Sequence, residues 1–176
     1  MPASDQGISN DRFLLIPRTL IFLTRGDSVL LIKGSPDKRI WAGRYNGLGG
    51  HIERGEDILS AAQRELHEET GLEEIDLWLC GIVAVDAGEQ IGVGIFVLRG
   101  EYSPHDVGAP GHNLQSPEGI LEWVPLSKVE TLPTVEDLPI LLPRVVNTRR
   151  GDPPFFARSY YDDAGRLRLV FKDRDR

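Results

Sequence analysis

The chain has 176 residues, 40 % of them hydrophobic and 27 % charged, with a formal net charge of −7. That length and composition suit one globular domain with a real core. The acidic balance argues against binding along a nucleic-acid backbone, because such proteins carry a basic footprint; an acidic protein can still hold a phosphorylated small molecule when cations mediate the contact.

Met1 to Arg12 is polar, lacks the layout of a signal peptide and reads as a loose tail (residues 1–12) ahead of one domain over residues 13–176. Leu14 to Leu23 is apolar but interrupted by Pro17 and Arg18, and it is too short to span a bilayer, so no membrane partner is expected. Thr19–Thr24 and Ser28–Lys33 are β-prone runs joined by Arg25-Gly26-Asp27, a hairpin signal. Gly34 to Arg44 is a polar loop that contains Trp41, and Tyr45 to Ile52 is short and glycine-rich. A helix follows over Asp57–Thr70, ended by Gly71 where a left-handed residue is wanted. Leu77–Asp86 and Gly92–Glu101 are longer strands around a turn at Ala87-Gly88. Cys80, the single cysteine, lies in the apolar run Leu77–Val85 and reads as a small core hydrophobe. With no intrachain disulfide possible, a cytoplasmic location is expected. Tyr102 to Pro117, rich in Gly, Pro, Ser and His, reads as a long mobile loop. Ile120–Val124 is a short strand. Glu136–Asn147 is a second helix whose ends are blurred by Pro139 and Pro143. Phe155–Tyr161 and Arg166–Phe171 form a closing hairpin. This order predicts an α/β domain of the α+β type, a mixed sheet with antiparallel hairpins layered between helices.

The first helix is the informative one. On a wheel at 100° per residue, Ala61 and Ala62 fall within about 60° of Ile58. Glu65, Glu68 and Glu69 fall on that same apolar side, while Ser60, Gln63, Arg64 and His67 lie opposite. A solvated helix keeps its glutamates on the polar face. Like charges spaced i, i+3 and i+4 repel one another, and crowding them toward the protein body without compensation is costly. A hard divalent cation, which takes carboxylate oxygens, is the simplest compensation.

The segment Gly50 to Leu72 resembles the Nudix box at every defined position. The family pattern is Gly, five residues, Glu, seven residues, Arg-Glu, an aliphatic residue, any residue, Glu-Glu, any residue, Gly and an aliphatic residue. Here these are Gly50, Glu56, Arg64, Glu65, Leu66, Glu68, Glu69, Gly71 and Leu72. The resemblance implies the Nudix fold and hydrolysis of a phosphoanhydride bond in a nucleoside diphosphate linked to a further group X. It implies Mg2+, with Mn2+ as a substitute, held by Glu65, Glu68 and Glu69, and by the carbonyl of Gly49, where glycine lets the backbone approach the ion. Glu56 and Arg64 would brace loop against helix, with Gly50 and Gly71 as the structural glycines of the box. A metal neutralises the anionic pyrophosphate and acidifies bound water, and a carboxylate then takes the proton. Glu65 and Glu118 are both candidates for that base. Relatives are commonly dimers, which admits a homodimer here.

Outside the box, Glu118 stands five residues before Trp123, where related enzymes carry an acidic metal ligand. Lys33 ends a strand where similar enzymes place a basic residue to hold phosphate. Gly43 to Gly50 resembles the MutT-type oxidised-purine nucleoside triphosphatases, in which the Asn matching Asn46 meets the base. Phe155 to Tyr161 resembles the last strands of that group. Glu136 and Asp137 follow at about the distance of the acidic pair that reads the purine there, although Thr134 and Val135 stand where a tryptophan would precede it. A nucleoside triphosphate, giving monophosphate and pyrophosphate, is thus the favoured substrate, with ADP-ribose or another nucleotide sugar as the alternative. No proline or tyrosine lies between Ile82 and Gln90, where ADP-ribose and diadenosine-polyphosphate hydrolases often carry theirs. His51, His67, His105 and His112 lack partners at zinc-ligand spacing and read as solvated. A nucleotide-sensing module that does not cut is the competing class, but such relatives lose box glutamates and this chain keeps them. An RNA-end hydrolase is disfavoured by the missing basic stripe.

Overall fold

The computed structural model describes residues 3–7, 11–37, 40–103, 114–116 and 118–172. Among them, nine strands form one mixed sheet: β1 (Leu14–Arg25), β2 (Ser28–Gly34), β3 (Tyr45–Asn46), β4 (Leu77–Asp86), β5 (Ile91–Glu101), β6 (Leu114–Ser116), β7 (Gly119–Pro125), β8 (Phe155–Tyr161) and β9 (Leu167–Lys172). The order across the sheet is β6-β7-β2-β1-β5-β4-β8-β9, with β3 attached to β2. Short turns give the antiparallel pairs β1–β2, β4–β5 and β8–β9. The pairs β1–β5 and β4–β8 are parallel and need long crossovers. Helices α1 (Ile58–Thr70) and α2 (Leu138–Asn147) lie within those crossovers.

The helices cover opposite faces of the sheet, the layering expected from the sequence. Side chains alternate along β1. Phe22 shares a core with Leu138, Leu141 and Val145 of α2, whereas Ile21 and Leu23 share one with Ala62 and Leu66 of α1. Cys80 is fully buried in the α2-side core, as expected, and burial pushes its thiol up to about 11. No helix among the described residues is long and apolar enough to cross a membrane.

The structure extends the expectations in several places. Strand β1 starts at Leu14 rather than Thr19 and runs through Pro17. The N–H groups of Thr19 and Ile21 point to the carbonyls of Gly50 and Leu48, and the carbonyl of Pro17 accepts from Ile52 on that same side. The missing N–H of Pro17 therefore faces away from the β5 ladder, and no strand pairing is lost. A 3-10 turn at Ala3–Gln6 lies in the segment expected as tail, and another at Leu126–Thr131 follows β7. Of the long loop expected over residues 102–117, Leu114–Ser116 forms β6, which is too short for alternation to show in the sequence. Residues 104–113 and 117, including His105 and His112, lie outside the described residues. Helix α2 starts at Leu138 rather than Glu136, with Pro139 in its first turn, where no N–H is required.

Helix α1 is bounded by local chemistry that the sequence shows. The carboxylate of Asp57 accepts from the N–H groups of Leu59 and Ser60, a side-chain cap on the first turn. Gly71 closes the other end at φ 72, donating to the carbonyl of His67. A Cβ at Gly71 would meet open space, so its need for glycine is purely conformational. Gly71→Ala is expected to destabilise the protein by about 1–2 kcal/mol, the cost of holding an L-residue left-handed. Urea denaturation would show this as a lower midpoint at unchanged slope.

Candidate functional site

The site begins with a gap in the sheet. Strands β1 and β2 pair only at Leu23–Leu30, Thr24–Val29 and Arg25–Ser28, next to their turn. Beyond that they splay, and the glycine-rich segment after β3 fills the space. On one side Tyr45 and Asn46 pair with Lys33 and Ile32 of β2. On the other, Leu48 exchanges both backbone hydrogen bonds with Ile21, and Thr19 N–H donates to Gly50 O. The segment is fixed from both flanks before it reaches α1.

Helix α1 then grips it. Gly49 N–H donates to Glu69 Oε2 at 2.9 Å. Gly49 has φ 117, and a Cβ there would overlap the Thr19 carbonyl. Gly50 needs glycine for a different reason: a Cβ would overlap the Glu65 carboxylate. Arg64 ties loop to helix. Its Nε and Nη2 donate to both oxygens of Glu56 at 2.7 and 3.1 Å. Its Nη1 donates to Glu65 at 3.0 Å and Glu68 at 3.1 Å, and Nη2 also donates to the carbonyl of His51 at 3.0 Å. The Arg64 hydrogen bond, reinforced by Glu53 N–H, holds the Glu56 carboxyl below its ordinary value, and the same pairing raises the Arg64 guanidinium further. Glu56 and Arg64, to which the resemblance implies a bracing role, are joined here by two hydrogen bonds between loop and helix.

The glutamates differ in burial. Glu69 is 7 % exposed, and the Glu65 side chain 14 %, whereas the Glu68 side chain is 57 % exposed at the rim. The wheel places all of them on the inner side; Glu68 sits at its outer margin, beside Arg64.

A cleft of about 410 Å³ opens along this segment, lined among others by Asn46, Gly49, Glu69, Glu118 and Asp137. Sequence positions far apart thus converge: the β3 segment, α1, the turn before β7 and the start of α2. Glu118 is held by its backbone, its carbonyl accepting from Ser35 N–H and its N–H donating to Ser116 Oγ. Asp137 occupies the N-cap of α2 without capping through its side chain. Burial pushes its carboxyl above the ordinary range, and neighbouring Glu136 adds to the shift. Asn46 lines the cleft and also accepts from Gly47 N–H at 2.8 Å, so part of its role is to satisfy the turn.

Lys33 is not brought to this cleft. Ile32 lines it, and alternation along β2 turns Lys33 to the other face, where its Nζ stands 5.5 Å from the Tyr45 ring centroid. The Tyr45 hydroxyl donates to Glu122 at 2.8 Å, and burial with this bond pushes it up to about 12. Sequence reasoning missed Arg18, Ile40 and Trp41, which also line the cleft. Arg18 looked like an interruption of an apolar run, and a lone tryptophan in a polar loop has no spacing to identify it. His51 and His67 are exposed, as expected; His67 stands 3.4 Å from Glu73.

Among the described residues, no group of three acidic, histidine or cysteine side chains stands ready as a metal cluster. Arg64 draws Glu65 and Glu68 toward itself, and Gly49 N–H takes Glu69. The donor chemistry nevertheless suits a hard divalent cation. The nearly buried Glu69 carboxylate, the Gly49 backbone and Glu118 line one cleft, and all offer oxygen.

A family model of the NUDIX domain matches residues 14–145. The chain is 32 % identical over 117 residues to an oxidized purine nucleoside triphosphate hydrolase of Danio rerio, covering 63 % of this chain and 67 % of that protein. It is 38 % identical over 81 residues to the protein of the same name from Mus musculus, covering 44 % of this chain and only 51 % of that relative's length. The solved structure of a MutT protein from Bacillus halodurans superposes with a TM-score of 0.70 at 27 % identity, over 88 % of this chain and 97 % of that one. With a box complete in sequence and locked between β1, β2 and α1, and a family match across most of its length, this chain belongs to the Nudix hydrolase family.

Proposed function

We propose that the protein hydrolyses a phosphoanhydride bond of a nucleoside triphosphate, releasing monophosphate and pyrophosphate, with Mg2+ or Mn2+ as cofactor. The observation that carries this reading is the convergence of Gly49, Glu69 and Glu118 with Asn46 and Asp137 on one cleft. The first three offer oxygens for a metal-bound phosphate chain, and the last two offer hydrogen-bonding groups for a base. Glu65 and Glu68 would complete the metal set from beside Arg64. A bound divalent metal supplies charge neutralisation of the phosphates and a more acidic water. Of the two candidate bases we favour Glu118, because it lines the cleft and Glu65 is not among the lining residues. Arg18 on the cleft wall takes the phosphate-holding role expected of Lys33.

Purine substrates are favoured. The Asn46 amide can donate as well as accept and the Asp137 carboxyl can accept, so the two together can meet a base edge that carries both kinds of group. The curated relatives from Danio rerio and Mus musculus, which act on oxidized purine nucleoside triphosphates by name, support the same class.

The reading is tested by following phosphate and pyrophosphate release over normal and oxidised deoxynucleotides, ADP-ribose, dinucleoside polyphosphates and nucleotide sugars. Glu68→Gln is expected to lower kcat by about a hundredfold or more. Its circular dichroism should be unchanged, because the side chain is largely exposed. Full turnover by this variant at saturating metal would remove the metal role of the box.

A second test uses Asp137. A folded-state pKa above the unfolded one makes stability fall as pH rises from about 3.9, the unfolded carboxyl value, through the folded value. Asp137→Asn imitates the neutral form. It is expected to raise the melting temperature at neutral pH, with the gain vanishing in acid, while raising KM for a purine nucleotide. Melting curves from acid to neutral pH check the first part; lower stability of the variant at neutral pH would refute it.

A further inference from the structure

We propose that Trp41 is the stacking platform of the cleft, lying against one face of the base whose edge Asn46 and Asp137 meet. The proposal rests on the nucleotide reading above for the class of ligand. Trp41 has φ 61, a left-handed conformation that is an outlier for a bulky side chain. Glycine would occupy that backbone without strain, and burial does not offset the cost, since Trp41 is 50 % exposed. Such outliers persist where the surroundings enforce them, and they gather at ligand clamps.

The surroundings here are explicit. Arg44 N–H donates to Trp41 O at 3.0 Å, closing a tight turn. Gly43 N–H donates to Gly34 O at 2.9 Å, and Gly34 N–H to Arg44 O at 3.0 Å, clamping the turn to the end of β2. A Cβ at Gly34 would stand 2.7 Å from Trp41 O, so glycine is what lets the turn seat so closely. Arg44 Nη1 fixes the far side by donating to Thr134 O at 2.9 Å. The indole is thus presented by a braced turn.

Among the described residues that line the cleft, Trp41 is the one aromatic, next to the exposed Ile40. Thr134 and Val135, just before Asp137 in the chain, offer no aromatic face: both are buried, and the backbone beside them is paired with Tyr45. An aromatic face stacks on any base, so Trp41 supplies affinity for the ring while the polar pair selects its edge.

The test compares wild type with Trp41→Gly, which suits the backbone, and Trp41→Phe, which keeps a ring. Tryptophan emission is titrated with dGMP and, as a baseless control, ribose 5-phosphate. Hydrolysis of dGTP is measured in parallel. In the wild type, dGMP should quench emission and ribose 5-phosphate should not. Trp41→Gly should lose the dGMP-dependent quench and raise KM for dGTP about tenfold, the scale of one lost base–aromatic stack, with the change carried by KM rather than kcat. Trp41→Phe should recover most of the affinity. Absence of the quench in the wild type, or an unchanged KM in Trp41→Gly, overturns the stacking role and leaves the hydrolase reading standing. A dGMP quench specific to Trp41 in a protein that cleaves no nucleotide would sink the hydrolase reading and keep the stack.

Discussion

All five N–H groups of Arg64 donate within the unit formed by the box loop and α1, to Glu56, Glu65, Glu68 and the carbonyl of His51. A guanidinium has five donors, so none is left over. The consequence is mechanical as well as electrostatic. Glu56 belongs to the loop and Glu65 and Glu68 to the helix, so one planar cation fixes their relative positions and offsets a concentration of negative charge that would otherwise push loop and helix apart. A lysine has neither the fork nor the reach for this. The same pairing holds Glu65 and Glu68 at Arg64, whereas Glu69, taken by Gly49 N–H, lines the cleft.

The sheet contributes the other half of the arrangement. Because β1 and β2 separate after three residue pairs, the segment from Tyr45 to Gly50 can run between them as part of the sheet while remaining loop-like. Its glycines are there for clearance at named atoms, the Thr19 carbonyl at Gly49 and the Glu65 carboxylate at Gly50. The two crossovers then bring α1 and α2 to opposite faces. Their ends nearest the segment deliver Glu69 and Asp137 to a common cleft.

Much of this was legible in the sequence, for identifiable reasons. Helix α1 announced itself through its apolar stripe and Gly71, because such signals act within a turn or two; that Asp57 caps it rather than belonging to it came from the structure. The hairpins were readable from short turns between β-prone runs. Legibility failed where a residue's role depends on partners distant in sequence. Pro17 reads as a strand breaker until one sees which side of β1 it faces. Lys33 ends β2 but faces away from the cleft that Ile32 lines, a matter of register that one residue decides. Arg18 and Trp41 belong to the cleft only because β1 and the loop after β2 are brought beside the box. The gradation among Glu65, Glu68 and Glu69 follows from how α1 is rotated against the sheet, which a wheel drawn in isolation approximates but cannot fix.

Cys80 carries a consequence of a different kind. A thiol sealed in the core and pushed up to about 11 has almost no thiolate at neutral pH, and thiolate is what alkylating agents and oxidants attack. The folded protein is therefore expected to react slowly with thiol reagents. Since Cys80 is the chain's single cysteine, any labelling must report excursions that expose the middle of β4. The protein thereby carries its own clock for opening of the core, free of background from other sulfhydryls.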